Sequence, residues 1–171
     1  KKMRLKELVK FCSALKYNDL PSNVVDKAKY YALDFLGVIA RGSQEESSKA
    51  MYRFVKGLGI ANEGGVVIGT KIKTSFQYSA LANGTAAHSL ELDDVNNEAS
   101  LHPGVVIFPA AIAACEMANK GGKEFIEGVV LGYEVMIRIG KALGPKEQYS
   151  RGFHPTGTCG TFGATVTVAK I

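Results

Sequence analysis

The chain lacks tryptophan and has few cysteines, histidines and prolines among its 171 residues. Its three cysteines, Cys12, Cys115 and Cys159, are widely spaced and form no CxxC motif, which argues against a disulfide framework and for a reducing compartment. No apolar run reaches the roughly 18 residues of a membrane span, and the basic start leads into an amphipathic pattern, not an apolar signal-peptide core. We therefore expect a cytoplasmic protein with no membrane partner.

The charge distribution also excludes some functions. The net charge is +5, and much of it lies within residues 1–10, where the lysines are expected to form a solvated helix face. Aromatic residues make up only 9% of the chain and do not alternate with the basic ones, so we expect no nucleic-acid partner. The hydrophobic share of 46% and charged share of 22% are close to the globular average and favour one folded domain.

Apolar residues recur at helical spacing through most of the chain. The pattern predicts helices over 2–16, 24–40, 45–56, 75–88, 105–119 and 123–143, and a last helix that begins near Thr156–Thr158. A glycine-rich connector over 57–74 has at most one or two short strands, near 65–73, and 144–157 is a predicted loop. The chain has 19 glycines, many in helical segments, which predicts close helix packing. The predicted fold class is all-α, with six or seven helices.

All three histidines occupy unusual places in this pattern. His102 and His154 each precede a proline at a predicted helix start, and His88 ends a run of small residues. A helix N-terminus attracts anions, and an imidazole there titrates near neutrality. This predicts acid–base chemistry on a small carboxylate, which Thr156 and Gly157 would help to hold. On the pattern alone, loop histidines that merely cap helices are an equally good interpretation.

The segment from His88 to Asp94 is open to three interpretations. Its imidazole and carboxylates are ordinary metal ligands, or they form a cluster with general-base capability, or they are a helix end followed by a solvated acidic loop. Metal is disfavoured because carboxylate-bridged bundle sites need an ExxH element twice, and the chain has one reversed HxxE. We expect no metal. Asn83 shares a face of small residues with His88, which predicts that something approaches that face closely.

Several segments, in order, resemble the MmgE/PrpD family, which includes 2-methylcitrate dehydratase, cis-aconitate decarboxylase and iminodisuccinate epimerase. The segments are "LPSNVVDKAKYYALDFLGVIARG", "ALANGTAAHSLELDD", "HPGVVIFPAAIAACE", "GYEVMIRIG" and "GFHPTGTCGTFGATVTVAK". The resemblance implies that residues 1–171 are the N-terminal part of a helical domain. It also implies a lid domain from sequence outside this chain, an active site between the two, and a homodimer.

The resemblance carries over to particular residues. His102 and His154 fall on active-site histidines of the family. Glu91 falls where the family usually has an aspartate, and Val95 where many members have Thr or His. The implied catalytic residues are His102 and His154, which handle protons, with Glu91 and Asp94, which position or tune them. The implied substrate-binding residues are Asn83, His88, Thr156 and Gly157.

The implied activity is that of a cofactor-independent lyase acting on a small di- or tricarboxylate. The simplest expectation is a dehydratase of the 2-methylcitrate type, in propionate metabolism, that abstracts an α-proton and expels water. Decarboxylation and epimerisation are alternatives within the family, since they share the proton abstraction. A non-catalytic helical fragment or subunit is an alternative of another class. The isolated 171-residue piece is expected to be inactive.

Overall fold

The computed structural model describes residues 2–59 and 64–171, with side chains from residue 6 onward. The all-α prediction is confirmed: this part of the chain is built of helices and one two-stranded sheet. The helices are α1 (Lys2–Ala14), α2 (Ser22–Gly42), α3 (Glu46–Gly57), α4 (Phe76–His88), α5 (Gly104–Ala118), α6 (Gly122–Leu143), α7 (Pro145–Ser150) and α8 (Pro155–Lys170). The strands are β1 (Gly65–Val66) and β2 (Lys73–Thr74), paired antiparallel.

Most predicted helices agree with the structure to within a few residues, but the predicted loop over 144–157 is wrong in part. The short helix α7 begins there at Pro145, after Gly144 turns the chain with a φ of 77°. Proline suits a first helical position because its missing N–H would have no partner there. A helix of six residues is too short to show hydrophobic periodicity, so the pattern could not reveal it. Part of the predicted connector, residues 60–63, lies outside the described residues.

The core is formed by side chains of α2, α4, α5, α6 and α8, and where α5, α6 and α8 meet it depends on close approach at glycines. A Cβ atom on Gly132 of α6 would lie 2.1 Å from Oγ1 of Thr167 in α8. One on Gly163 of α8 would lie 2.9 Å from Cβ of Met136. The side chains of Ile107 and Met136 are fully buried at this junction. The prediction that the glycines allow close helix packing is therefore confirmed here.

The loop between α4 and α5 is polar in sequence but firmly anchored. The backbone N–H of Asn96 donates to Leu101 O at 2.9 Å, and that of Leu101 donates back at 3.3 Å. Ala99 and Leu101 are fully buried, and they pack so closely on α6 that a Cβ on Gly140 would lie 2.7 Å from the Leu101 side chain. This anchoring fixes the position of His102, the next residue. No helix in 2–59 or 64–171 is both long and apolar enough to cross a bilayer.

Candidate active site

All three histidines meet at one place, between the end of α4, the loop that follows it and the start of α8. The ring centroid of His88 lies 5.0 Å from that of His102 and 6.2 Å from that of His154. His88 is the last residue of α4, and His154 immediately precedes α8. With Glu91 and Asp93 these residues form what we call the acid–histidine cluster. The structure thus brings the imidazole of His154 next to that of His88, although the two residues lie far apart in the sequence.

Asp93 is the buried centre of this cluster, with a side chain only 5% exposed. Its two carboxylate oxygens each lie 3.1 Å from Nδ1 of His88. Nδ1 of His102 lies 3.0 Å from Asp93 Oδ2, which is close enough for an ion pair, although the nitrogen is out of line for a regular hydrogen bond. One carboxylate therefore holds the Nδ1 edges of two imidazoles.

Glu91 approaches the same two imidazoles at their other nitrogen. Its carboxylate oxygens lie 3.5 Å from Nε2 of His88 and 3.7 Å from Nε2 of His102. Its side chain is 68% exposed, in contrast to the buried Asp93. Its backbone is left-handed, with φ of 53°, a conformation that costs a residue other than glycine roughly 1–2 kcal/mol. The turn at Glu91 thus places two carboxylates, two residues apart, at different edges of the same rings.

The charges around His88 alter its protonation. The hydrogen bond to Asp93 raises the pKa of His88 above its ordinary value, and the negative charges of Asp93 and Glu91 act in the same direction. Partial burial opposes this shift without cancelling it. A larger fraction of His88 is consequently protonated near neutral pH than for a free imidazole. Such a group can bind an anionic substrate or donate a proton to it.

Asp94 faces away from the imidazoles and towards the start of α5. Its Oδ1 accepts the backbone N–H of Gly104 at 2.8 Å, and its Oδ2 accepts the hydroxyl of Tyr133 at 2.9 Å. Burial raises the pKa of Asp94, although these two hydrogen bonds work in the opposite direction. Burial, together with the charge of Asp94, also raises the pKa of Tyr133. Asp94 is thus placed to position the beginning of α5, directly after His102 and Pro103.

The side chain of Asn83 is bonded to the connector, and its predicted substrate-binding role stays a prediction. Its side chain is almost fully buried, accepts the backbone N–H of Ile68 at 2.9 Å, and donates to Val66 O at 2.9 Å. The small face of α4 is indeed approached closely, but by the connector and α5. A Cβ on Gly84 would lie 3.0 Å from Val105 O. The Asn83 amide satisfies buried backbone groups of the connector.

The start of α8 is also engaged within the protein. The buried hydroxyl oxygen of Thr156 accepts the backbone N–H of His102 at 3.0 Å. The N–H of Gly157 donates to His154 O at 3.0 Å, as in an ordinary first helical turn. These contacts show how the start of α8 engages His102 and His154, and the predicted carboxylate-binding role of Thr156 and Gly157 stays a prediction. The local reason is that Pro103 immediately precedes α5 and Pro155 begins α8, so that each histidine leads into a rigid helix start.

Sequence reasoning missed Asp93 as the common partner of the histidines. It lay in a run of acidic residues that pattern alone could not divide into buried and exposed members. The signal that could have found it is the spacing of Glu91 and Asp93, two acidic residues separated by one apolar residue just after α4 ends at His88. This spacing suggests that the two side chains point in different directions. That signal becomes specific only when the left-handed turn at Glu91 is known.

Paired imidazoles on a buried carboxylate, carried by a helical domain, are groups that can take up and release protons near neutral pH. The model of the MmgE/PrpD N-terminal domain matches residues 6–171. The chain therefore belongs to the MmgE/PrpD family, as its motifs predicted.

The curated relatives are named for decarboxylation. The chain is 31% identical to the cis-aconitate decarboxylase-like protein oryM of Aspergillus oryzae, over 96% of this chain and 36% of the relative. It is 28% identical to cis-aconitate decarboxylase of Aspergillus terreus, over 96% and 34%. It is 27% identical to that of Mus musculus, over 91% and 33%. The chain thus spans about a third of the length of these relatives. Their names match the decarboxylase alternative and not the dehydratase expected first.

Proposed function

We propose that the complete protein is a cofactor-independent lyase that acts on a small di- or tricarboxylate, with decarboxylation of a cis-aconitate-like substrate as the first candidate. The observation that carries the proposal is the pairing of His88 and His102 on the buried Asp93. This pairing presents two Nε2 atoms, close to Glu91, for proton transfer. The names of the curated relatives favour decarboxylation over the other reactions.

In the decarboxylation, the bond between a carbon and its carboxylate breaks, and carbon dioxide leaves without the bonding electrons. Those electrons stay on the substrate and take up a proton. A protonated imidazole of His102 or His154 supplies that proton, and the positive charge of His88 stabilises the negative charge as it develops. Asp93 orients two of the rings, while Glu91 adjusts their charge from the other edge. Asp94 acts indirectly, through the start of α5.

Dehydration is the second candidate, and the number of imidazoles favours it. That reaction needs a base for the α-proton and an acid that converts the departing hydroxide into water. His102 is held by Asp93, whereas His154 is exposed and its ring lies 6.0 Å from that of Tyr149. Two imidazoles in such different surroundings suit the two steps of dehydration, in which one ring accepts a proton and the other donates one. Glu91 in place of the family's usual aspartate also supports a substrate different from that of the relatives.

We further propose that sequence outside this chain forms a lid over the cluster and that the complete protein is a homodimer. The exposure of Glu91 and His154 supports the lid, because acid–base sites work best when water is excluded. Sedimentation of the complete protein tests the homodimer. A monomer at assay concentrations would contradict it.

The experiment uses the complete protein with cis-aconitate, 2-methylcitrate and citrate, and follows products by NMR together with released carbon dioxide. Carbon dioxide from cis-aconitate supports decarboxylation, loss of water supports dehydration, and isomerisation without loss of mass supports an epimerase. We expect His102→Gln and His154→Gln each to lower turnover by about 10²–10⁴-fold.

Glu98→Gln is the matched control, because Glu98 lies in the same loop, is exposed and pairs with Lys141 outside the cluster. It should retain turnover. Unchanged turnover in both histidine variants would refute the assigned roles. A folded, complete protein with no turnover on any of the three acids would support the non-catalytic helical module instead.

A further inference from the structure

We propose that His88, Glu91 and His102 form a binding site for a divalent transition-metal ion of the zinc type. The ligands are Nε2 of each histidine and the carboxylate of Glu91. This differs from the sequence expectation of no metal, which rested on the absence of a repeated ExxH element. The site is inferred from geometry and does not depend on the proposed function.

The spacing of the three ligand groups fits one shared ion. Their potential ligand atoms all lie within 4.8 Å of one another. The two distances from Glu91 oxygens to imidazole nitrogens, 3.5 and 3.7 Å, are too long for good hydrogen bonds. Zinc binds nitrogen and oxygen at about 2.0–2.1 Å, which places tetrahedral ligands about 3.3 Å apart. Because the ligand atoms lie within 4.8 Å of one another and not within about 3.3 Å, binding one ion would draw the three side chains closer together.

Asp93 supplies the support that metal-bound histidines usually have. Such histidines direct the ring nitrogen that does not bind metal towards a carboxylate or carbonyl, which fixes the ring and leaves the other lone pair free. Here Nδ1 of both His88 and His102 lies within 3.1 Å of Asp93, which leaves both Nε2 atoms for the ion. The buried Asp93 is thus a positioning residue for two ligands at once.

The site is also open to an ion and to further ligands. The side chains of His88 and His102 are 28% and 17% exposed, and that of Glu91 is 68% exposed. A water molecule can occupy the remaining position. Two imidazoles and one carboxylate suit zinc, copper or nickel, whereas Mg²⁺ prefers oxygen ligands alone. The site should therefore discriminate strongly against Mg²⁺.

A bound ion would also occupy the nitrogen atoms that transfer protons in the proposed function. Micromolar zinc should then inhibit turnover, and a chelator should restore it. This consequence rests on the proposed function, whereas metal binding itself does not.

The test is titration calorimetry of the chelator-treated complete protein with ZnCl₂ and, separately, MgCl₂. We expect zinc to bind at this site and Mg²⁺ not to compete. His88→Ala and Glu91→Gln should each weaken zinc binding at this site at least tenfold. Asp93→Asn should weaken it by about 10–100-fold through loss of ring orientation. Glu98→Gln, a nearby carboxylate outside the cluster, should not change it.

Cobalt binding gives a second readout that does not require activity, because Co²⁺ with tetrahedral nitrogen and oxygen ligands absorbs visible light. The variant His88→Ala should abolish this absorption. The proposal is overturned if the folded protein binds no zinc, or if all three variants bind zinc as tightly as the wild type. Zinc binding in a protein that shows no turnover even in its chelator-treated, zinc-free form would leave this site standing and count against the proposed function.

Discussion

The helix junction of α5, α6 and α8 and the acid–histidine cluster lie in one small domain but are held together in different ways. At the junction, Gly132 and Gly163 let backbones approach until there is no room for a methyl group. At the cluster, the carboxylate of Asp93 determines where two rings lie. We therefore expect the stability of the junction to depend on side-chain volume and hardly on pH. The stability of the cluster should depend on charge, and the cluster should tolerate changes of side-chain volume at its exposed edge.

The largest change in the free energy of unfolding is expected when a methyl group is added at the junction. We expect Gly132→Ala to lower the free energy of unfolding by about 1–3 kcal/mol, because the new Cβ would lie 2.1 Å from Thr167 Oγ1. Gly37→Ala is the matched control in α2, where no atom of the described residues would lie within 4 Å of the new Cβ, and it should raise the free energy of unfolding by about 1 kcal/mol through helix propensity. Urea unfolding of both variants measures the difference. Equal effects in the two variants would mean that the junction is not tightly packed.

A substitution at the cluster is expected to change the free energy of unfolding by a smaller amount and in the opposite direction. Glu91→Gly should raise the free energy of unfolding by about 1 kcal/mol, because glycine adopts the φ of 53° without strain. Turnover should fall at the same time, since the carboxylate is lost. Glu98→Gly, in the same loop but without a positive φ, should instead lower stability. Loss of stability in both variants would show that the left-handed turn at Glu91 is not strained.

The smallest effect concerns pH. The raised pKa of His88 means that the folded chain binds this proton more tightly than the unfolded chain. The resulting stabilisation is complete below the unfolded pKa of about 6.5 and is lost as the pH rises through the higher folded pKa. We expect Asp93→Asn to lower the pKa of His88 and to flatten this part of the pH–stability curve.

NMR titration of the His88 ring in the wild type and in Asp93→Asn measures the shift directly, and urea unfolding between about pH 5 and pH 9 measures its consequence for stability. Asp26→Asn is a suitable control, because Asp26 is exposed and pairs with Lys29, away from the cluster. An unchanged His88 titration in Asp93→Asn would show that Asp93 does not govern the protonation of this ring.

The sequence predicted the helices well because their apolar periodicity reflects burial, as in α6, predicted over 123–143 and observed over Gly122–Leu143. It also placed His102 and His154 at helix starts, because proline marks such positions. It could not decide the role of Asn83, because a buried amide on a helix face of small residues can hydrogen-bond either a ligand or the backbone of a neighbouring segment. Nor could it single out Asp93, because the direction of a loop side chain depends on one unusual backbone angle at Glu91.

The hydrogen bond from the His102 backbone to Thr156 has a consequence for how the domain fluctuates. Thr156 belongs to α8, next to the segment that carries His154, while His102 leads into α5. A tilt or slide of α8 that keeps this hydrogen bond therefore moves the backbone of both histidines in the same direction. The bond thus links the start of α8 to the start of α5, so that a displacement of either helix is transmitted to the backbone beside both histidines.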